Sequence, residues 1–179
     1  MGLGFAILAS LVVESPCSGY DLVKRFDERI SCFWAASHQQ VYRELRQLKE
    51  RDWVSCETVI QTGRPNKQVY CITALGQAQL TEWIEASSEP TAIREELMVK
   101  MLAGHLVSEQ KILDELKRRY EIHQEKLITL KGMEYKDFPD LSHLSLEKKF
   151  LYLTLRRGIR YETDWIAWCE EAIQLLGTN

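Results

Sequence analysis

The segment from Ser37 to Thr73 constrains the fold more than any other part of the chain. Ser37, followed three residues later by Gln40, forms a capping box in which each side chain accepts the other residue's backbone N–H. Behind it Val41, Leu45 and Leu48 repeat at i, i+4 and i+7, the spacing of one apolar helical face. At about 100° per residue the opposite face carries Gln39, Arg43, Arg46, Gln47 and Glu50, with Gln40 on its flank. Two runs rich in Val, Ile, Thr, Tyr and Trp follow, Trp53–Gln61 and Gln68–Thr73, and these predict strands. Thr62, Gly63, Arg64, Pro65, Asn66 and Lys67 form the turn between them.

The flanking sequence completes a recognisable order. A first helix is predicted from Leu3 to Glu14, ending ahead of Ser15–Pro16 as helices do before proline. Ser18 caps a second, with Asp21 in its first turn to complement the helix dipole and an end near Arg29 or Ile30. Thr73 caps a further helix from Ala74 to Ala86. Three helices, two strands and a helix describe a winged helix-turn-helix over residues 1–89.

From residue 90 to 179 the rhythm becomes helical: Ala92 to Leu106, then from after Ser108 to Lys131, a loop over Gly132–His143, and Leu144 to Leu176. Leu113, Leu116, Tyr120, His123, Leu127 and Leu130 alternate steps of three and four, a heptad seam. Leu151, Leu155, Ile159, Glu162, Ile166, Cys169, Ile173 and Leu176 form a second seam, interrupted by Glu162. Two helices leave more apolar surface than they can hide, with Trp165 and Trp168 added to it, so either the winged-helix domain or a second copy of the chain must cover the remainder, and the second copy is the favoured expectation. The residues expected at that homodimer interface are Leu113, Leu116, Tyr120, Leu127, Leu155, Ile159, Trp165, Ile166 and Ile173. The predicted fold is mainly α with a small β-hairpin wing: an N-terminal winged helix-turn-helix and a C-terminal long-helix dimerisation domain.

Several function classes are disfavoured. The apolar run Gly2–Val13 has no Lys or Arg before it and Glu14 directly after, so it reads as a buried helix rather than a signal peptide or a span. A soluble, cytoplasmic chain with no membrane partner is expected. Five cysteines without a C-x-x-C pair suggest neither a disulfide framework nor zinc, although Cys56 and Cys71 on neighbouring strands are conceivable as a redox pair. The four histidines lack metal-ligand spacing, and G-x-S-x-G, P-loop and G-x-G-x-x-G motifs are missing. No catalytic residue, metal or cofactor is predicted, and His123 is expected to hydrogen-bond on its seam.

Double-stranded DNA is the partner the residues favour. Arg pairs bidentately with guanine and Gln with adenine, and Gln39, Gln40, Arg43, Arg46 and Gln47 offer that chemistry on an exposed face. Arg64 and Lys67 at the hairpin tip are placed to meet phosphates or enter the minor groove. The whole chain carries a net charge of −3, but His38 to Tyr70 holds six cations against four acids, a local excess of two. Two other readings share the sequence. One is a winged-helix interaction module without DNA binding, and the other a ligand-gated regulator with an aromatic pocket at the dimer core near Trp165 and Trp168. The effector of such a regulator is not specified by the sequence.

Ser18–Gly19–Tyr20–Asp21–Leu22, Phe33–Trp34, and Val41–Tyr42–Arg43–Glu44–Leu45 with Leu48 resemble the PadR family of transcriptional regulators. Gly63–Arg64–Pro65–Asn66–Lys67, Tyr70, Ile72–Thr73 and Gly76 extend the likeness through the wing. Ser37–His38–Gln39–Gln40 ahead of Val41, Trp83, Arg94–Glu95–Glu96, Leu153–Thr154–Leu155–Arg156–Arg157 and Trp165–Ile166 with Trp168 are similar to its virulence-activator (AphA-like) branch. The resemblance implies a reader third helix, an interlocking helical dimer that represses or activates promoters, and in some members a response to small aromatic compounds. Two residues depart from the pattern. Asp52 stands where relatives usually carry glycine, a position Asp tolerates because it enters the left-handed region more readily than most residues. Gln68 replaces a second basic wing residue, which weakens the expected phosphate contact.

Overall fold

The computed structural model describes residues 2–26, 34, 36–63 and 66–177. The chain forms two compact units, Met1–Pro90 and Thr91–Asn179.

The first unit is built in the order α1 (Gly2–Val13), β1 (Cys17–Ser18), α2 (Gly19–Arg25), α3 (His38–Glu50), β2 (Val54–Val59), β3 (Lys67–Ile72) and α4 (Ala74–Glu85). Its sheet has the order β1-β3-β2, antiparallel throughout. α1 is apolar almost all round because it is the central helix: Ile7, Leu8 and Leu11 are fully buried, and α3, α4 and β3 pack on it. The apolar run therefore serves a core, where each such side chain contributes about 1.5–3 kcal/mol. Phe5 extends that packing by stacking on Trp83, with ring centroids 4.8 Å apart.

Caps read from the sequence close these helices. Ser18 caps α2 by accepting the Asp21 N–H, and Thr73 caps α4 by accepting the Gly76 N–H. The predicted end of α2 near Arg29 or Ile30 falls outside the described residues. α3 ends in a Schellman motif: Trp53 N–H donates to the Leu48 carbonyl and Asp52 N–H to that of Lys49. Asp52 takes the left-handed conformation this requires, with φ 58°.

The second unit holds α5 (Glu96–Leu102), a 3-10 turn (Gly104–Leu106), α6 (Glu109–Asp137) and α7 (Leu146–Leu176). The predicted helix from Ala92 starts later, because Glu95 supplies the cap by accepting the Leu97 N–H. The predicted loop at Gly132–His143 shrinks, since α6 runs through Gly132 to Asp137. Glycine costs only about 1 kcal/mol within a helix, and the Glu134–Arg156 pair at 3.0 Å helps hold the extra turn against α7. α6 and α7 form an antiparallel hairpin, α7 spanning about 46 Å.

Candidate nucleic-acid interface

α3 presents the polar face with little freedom to move. The capping box is complete: Ser37 accepts the Gln40 N–H, and Gln40 Oε1 accepts the Ser37 N–H at 2.7 Å. Val41, Leu45 and Leu48 lock the inner face, each within 1% of full burial. Gln39, Arg43 and Arg46 lie exposed on the outer face, and Gln47 is half-buried at its edge. Gln40 is exposed too, but its amide oxygen is spent on the cap, so only its N–H donors remain available. Tyr42, assigned no role from sequence beyond its place in the family resemblance, packs beside Gly19 at the start of α2: a Cβ there would come within 2.7 Å of the tyrosine ring.

The hairpin pairs Val54 with Ile72 through to Val59 with Lys67, and its loop turns at Gly63 with φ 75°. Arg64 and Pro65 lie outside the described residues. Lys67 is not a free cation: its ammonium sits 2.9 Å from Asp21 Oδ2. That carboxylate also accepts the Ser18 hydroxyl at 2.6 Å. The Ser18 hydrogen bond, and after it the Lys67 ammonium, hold the Asp21 carboxyl below its ordinary range. Gln68, the residue in place of a basic one, donates to Thr58 Oγ1 and accepts from the Cys56 thiol across the strands.

Opposed residues of an antiparallel pair share a face, and successive residues alternate. Cys56 lies opposite Tyr70 and Cys71 opposite Ser55, so the two cysteines point to opposite faces and cannot form the redox pair. Both are free thiols. Tyr70 faces inward, and burial first, then the neighbouring Cys56, pushes its phenol up to about 12. Among the described residues no cluster of His, Cys, Asp and Glu gathers as a metal site requires.

In the second unit, the two seams largely cover each other. Leu116 and Ile159 are 0% and 3% exposed within a single chain, which leaves them no surface to offer a partner. Leu113, Tyr120, Leu127, Leu155, Trp165, Ile166 and Ile173 are half-buried. The polar interruptions of the seams meet: His123 Nδ1 and Glu162 Oε2 lie 2.5 Å apart, both residues buried. His123 stacks on Trp165 at 4.8 Å, yet its Nε2 and Glu162 Oε1 are buried without a hydrogen-bond partner. Sliding α7 along α6 by one turn would separate the pair and bury both groups alone, so it fixes the register of the hairpin.

The pattern of the PadR-like transcriptional regulator family matches residues 7–82, and that of the virulence activator alpha C-terminal region matches residues 93–177. A probable transcriptional regulator of Mycobacterium tuberculosis is 36% identical, over 98% of each chain. The chain belongs to the PadR family of transcriptional regulators. Its fold matches PadR from Bacillus subtilis, solved in complex with operator DNA, with a TM-score of 0.79 and 28% identity over 98% of this chain and 99% of that one. The virulence activator AphA of Vibrio cholerae gives a TM-score of 0.76 and 30% identity over 98% of each chain. The small antiparallel sheet set among helices, followed by a helical C-terminal unit, is thus the PadR and AphA fold. Among the described residues, no helix of this PadR-family chain is long and apolar enough to cross a membrane.

Proposed function

We propose that this PadR-family chain binds double-stranded DNA sequence-specifically as a homodimer on a roughly palindromic operator, acting in the cytoplasm. The observation that carries this is the outer face of α3. A helix fixed by its cap and its core aims Gln39, Arg43 and Arg46 outward, and a hairpin wing stands in the same unit. These are the donors and acceptors that read base edges in the major groove. The Bacillus subtilis relative solved on operator DNA supports the same use. Gln40 contributes through its N–H donors alone, Gln47 works from the flank, and Arg64 on the wing meets phosphate.

Selecting bound sequences from a random duplex pool tests the readers. Arg43→Ala should cost about 1–3 kcal/mol on the selected site and relax preference at one base position per half-site. An unchanged motif removes Arg43 from the readers. Binding whose logarithm does not fall with the logarithm of salt points to a protein-interaction module instead.

The homodimer rests on the second unit. The seam residues are half-buried or buried, and the most exposed apolar stripe of α7 lies off the seam: Leu146, Phe150 and Leu153 are spaced i, i+4, i+7, each more than 60% exposed. Pairing two copies by a two-fold axis buries the same patch twice, and a palindromic operator requires the two α3 helices to read half-sites about 34 Å apart, one DNA turn. Sedimentation of the intact chain should give a dimer, and Phe150→Glu with Leu153→Glu should give a monomer. A monomeric wild type overturns the dimer and the palindromic operator with it.

A further inference from the structure

The outer end of the wing has little support of its own. β1 pairs with β3 only at Tyr70 and Val69, so Lys67 and Gln68 belong to a two-stranded ribbon, which is marginal in water. Lys67 forms the rung nearest the tip, opposite Val59. It shares a sheet face with Val69, which lies opposite Ser18, and from there its ammonium reaches Asp21 in the first turn of α2. The pair spans 46 residues of sequence. Asp21 is held in turn: Ser18 donates its hydroxyl to the carboxylate and accepts the Asp21 N–H. One partner of the ion pair is therefore already ordered, which lowers the entropic cost that usually cancels a surface pair. α2 then leans on α3 through Gly19 and Tyr42. A continuous path of packed groups runs from the last rung of the wing to the reader helix.

We propose that Asp21 is a positioning residue for DNA binding, its carboxylate latching the wing to α2 through Lys67, so that Lys67 holds the wing in place and does not touch phosphate. This rests on the DNA-binding function above and departs from the expectation that Lys67 straddles phosphates. A latch and a phosphate-binding cation differ in what they do to salt dependence. Removing a cation that neutralises one phosphate flattens the log–log salt slope by about one. The paired charges lie far closer together than a Debye length, so breaking the latch weakens binding without altering the number of counterions released.

The experiment measures binding of the intact chain to its selected duplex across a salt series. It compares wild type, Asp21→Asn, Lys67→Met and the double variant, with far-ultraviolet circular dichroism confirming that each is folded. The expected result is a similar weakening in each single variant, about two- to five-fold as for removal of one exposed ion pair. The double variant should be no weaker than either single, and all four slopes should agree. Lys67→Arg, which keeps the pairing, should bind as wild type does. Weakening by Lys67→Met with a slope smaller by about one, beside an unchanged or tighter Asp21→Asn, overturns the latch and leaves the DNA-binding function standing. A wild type that shows no salt-dependent binding to any duplex sinks that function, and the latch's part in it.

Discussion

Replacing Glu162 by Leu removes the one hydrogen-bond partner that His123 has in the α6–α7 hairpin. Breaking a buried pair from one side costs about 3–5 kcal/mol, because the group left behind stays desolvated and unpaired. For a chain of this length each kcal/mol moves the unfolding midpoint by about 2–4 °C, so the single change should lower it by at least about 6 °C. His123→Leu should act comparably, since Glu162 is fully buried and His123 is its one hydrogen-bond partner among the described residues. The double change behaves differently. It removes the pair together with the two unpartnered atoms, His123 Nε2 and Glu162 Oε1, each of which already costs about 1–3 kcal/mol. Against that stands the stacking of His123 on Trp165, about 0.5–1.5 kcal/mol, which the change forfeits.

The double variant should therefore unfold near the wild-type midpoint or above it, with the two single penalties cancelling rather than adding. Thermal unfolding followed by circular dichroism decides this, at one fixed protein concentration, because an associating chain has a concentration-dependent midpoint. A double variant as unstable as the singles combined would refute the reasoning. The groups unpartnered within one chain would then have partners in the assembled protein, and the pair would belong to an interface.

Two further outcomes follow from the first unit. The Tyr70 phenol, raised by burial to about 12 from an unfolded value near 10, gives stability that is fully present below pH about 10 and is lost as the pH climbs to about 12; unfolding profiles of wild type and Tyr70→Phe should therefore diverge in shape only above pH about 10, and parallel profiles there would show that burial does not hold the proton on. Asp52→Gly, at φ 58°, relieves a left-handed residue while loosening the unfolded chain, so denaturant melts should show a gain of at most about 1 kcal/mol; a loss would mean the Asp52 side chain holds the α3 terminus in some further way.

The first unit was legible because its signals are local. The Ser37–Gln40 box, the Ser18 and Thr73 caps and the Asp52 turn each lie within a few residues of what they determine, and the structure uses every one of them. The exposed face of α3 could be named for the same reason, since a buried Val41–Leu45–Leu48 face dictates which side chains point away from the core. Lys67 shows the limit. Its charge and its place beside a turn suggest a free cation, and nothing near it in sequence announces Asp21, 46 residues earlier. The Ser18-x-x-Asp21 pattern announces a helix start but not that its carboxylate serves a strand as well.

The second unit was harder to read because periodicity specifies a face and not its occupant. A heptad seam on α6 and another on α7 satisfy a partner chain or each other equally well, and only the chain's fold-back decides between them. His123 and Glu162 held the clue. A polar residue in an otherwise apolar seam is expensive unless it meets another, and each seam carries one near its middle. Matching the two sets α6 against α7 in antiparallel register, as the structure does. It follows that Leu116 and Ile159 are spent inside the hairpin, while the half-buried seam residues and the groups between the heptad positions keep surface for self-association. Leu146, Phe150 and Leu153 follow a helical spacing outside the seam, at the end of α7 away from the Trp165 and Trp168 cluster. An apolar stripe that its own chain leaves uncovered is the stronger mark of a partner-facing surface than a seam that the same chain can fill.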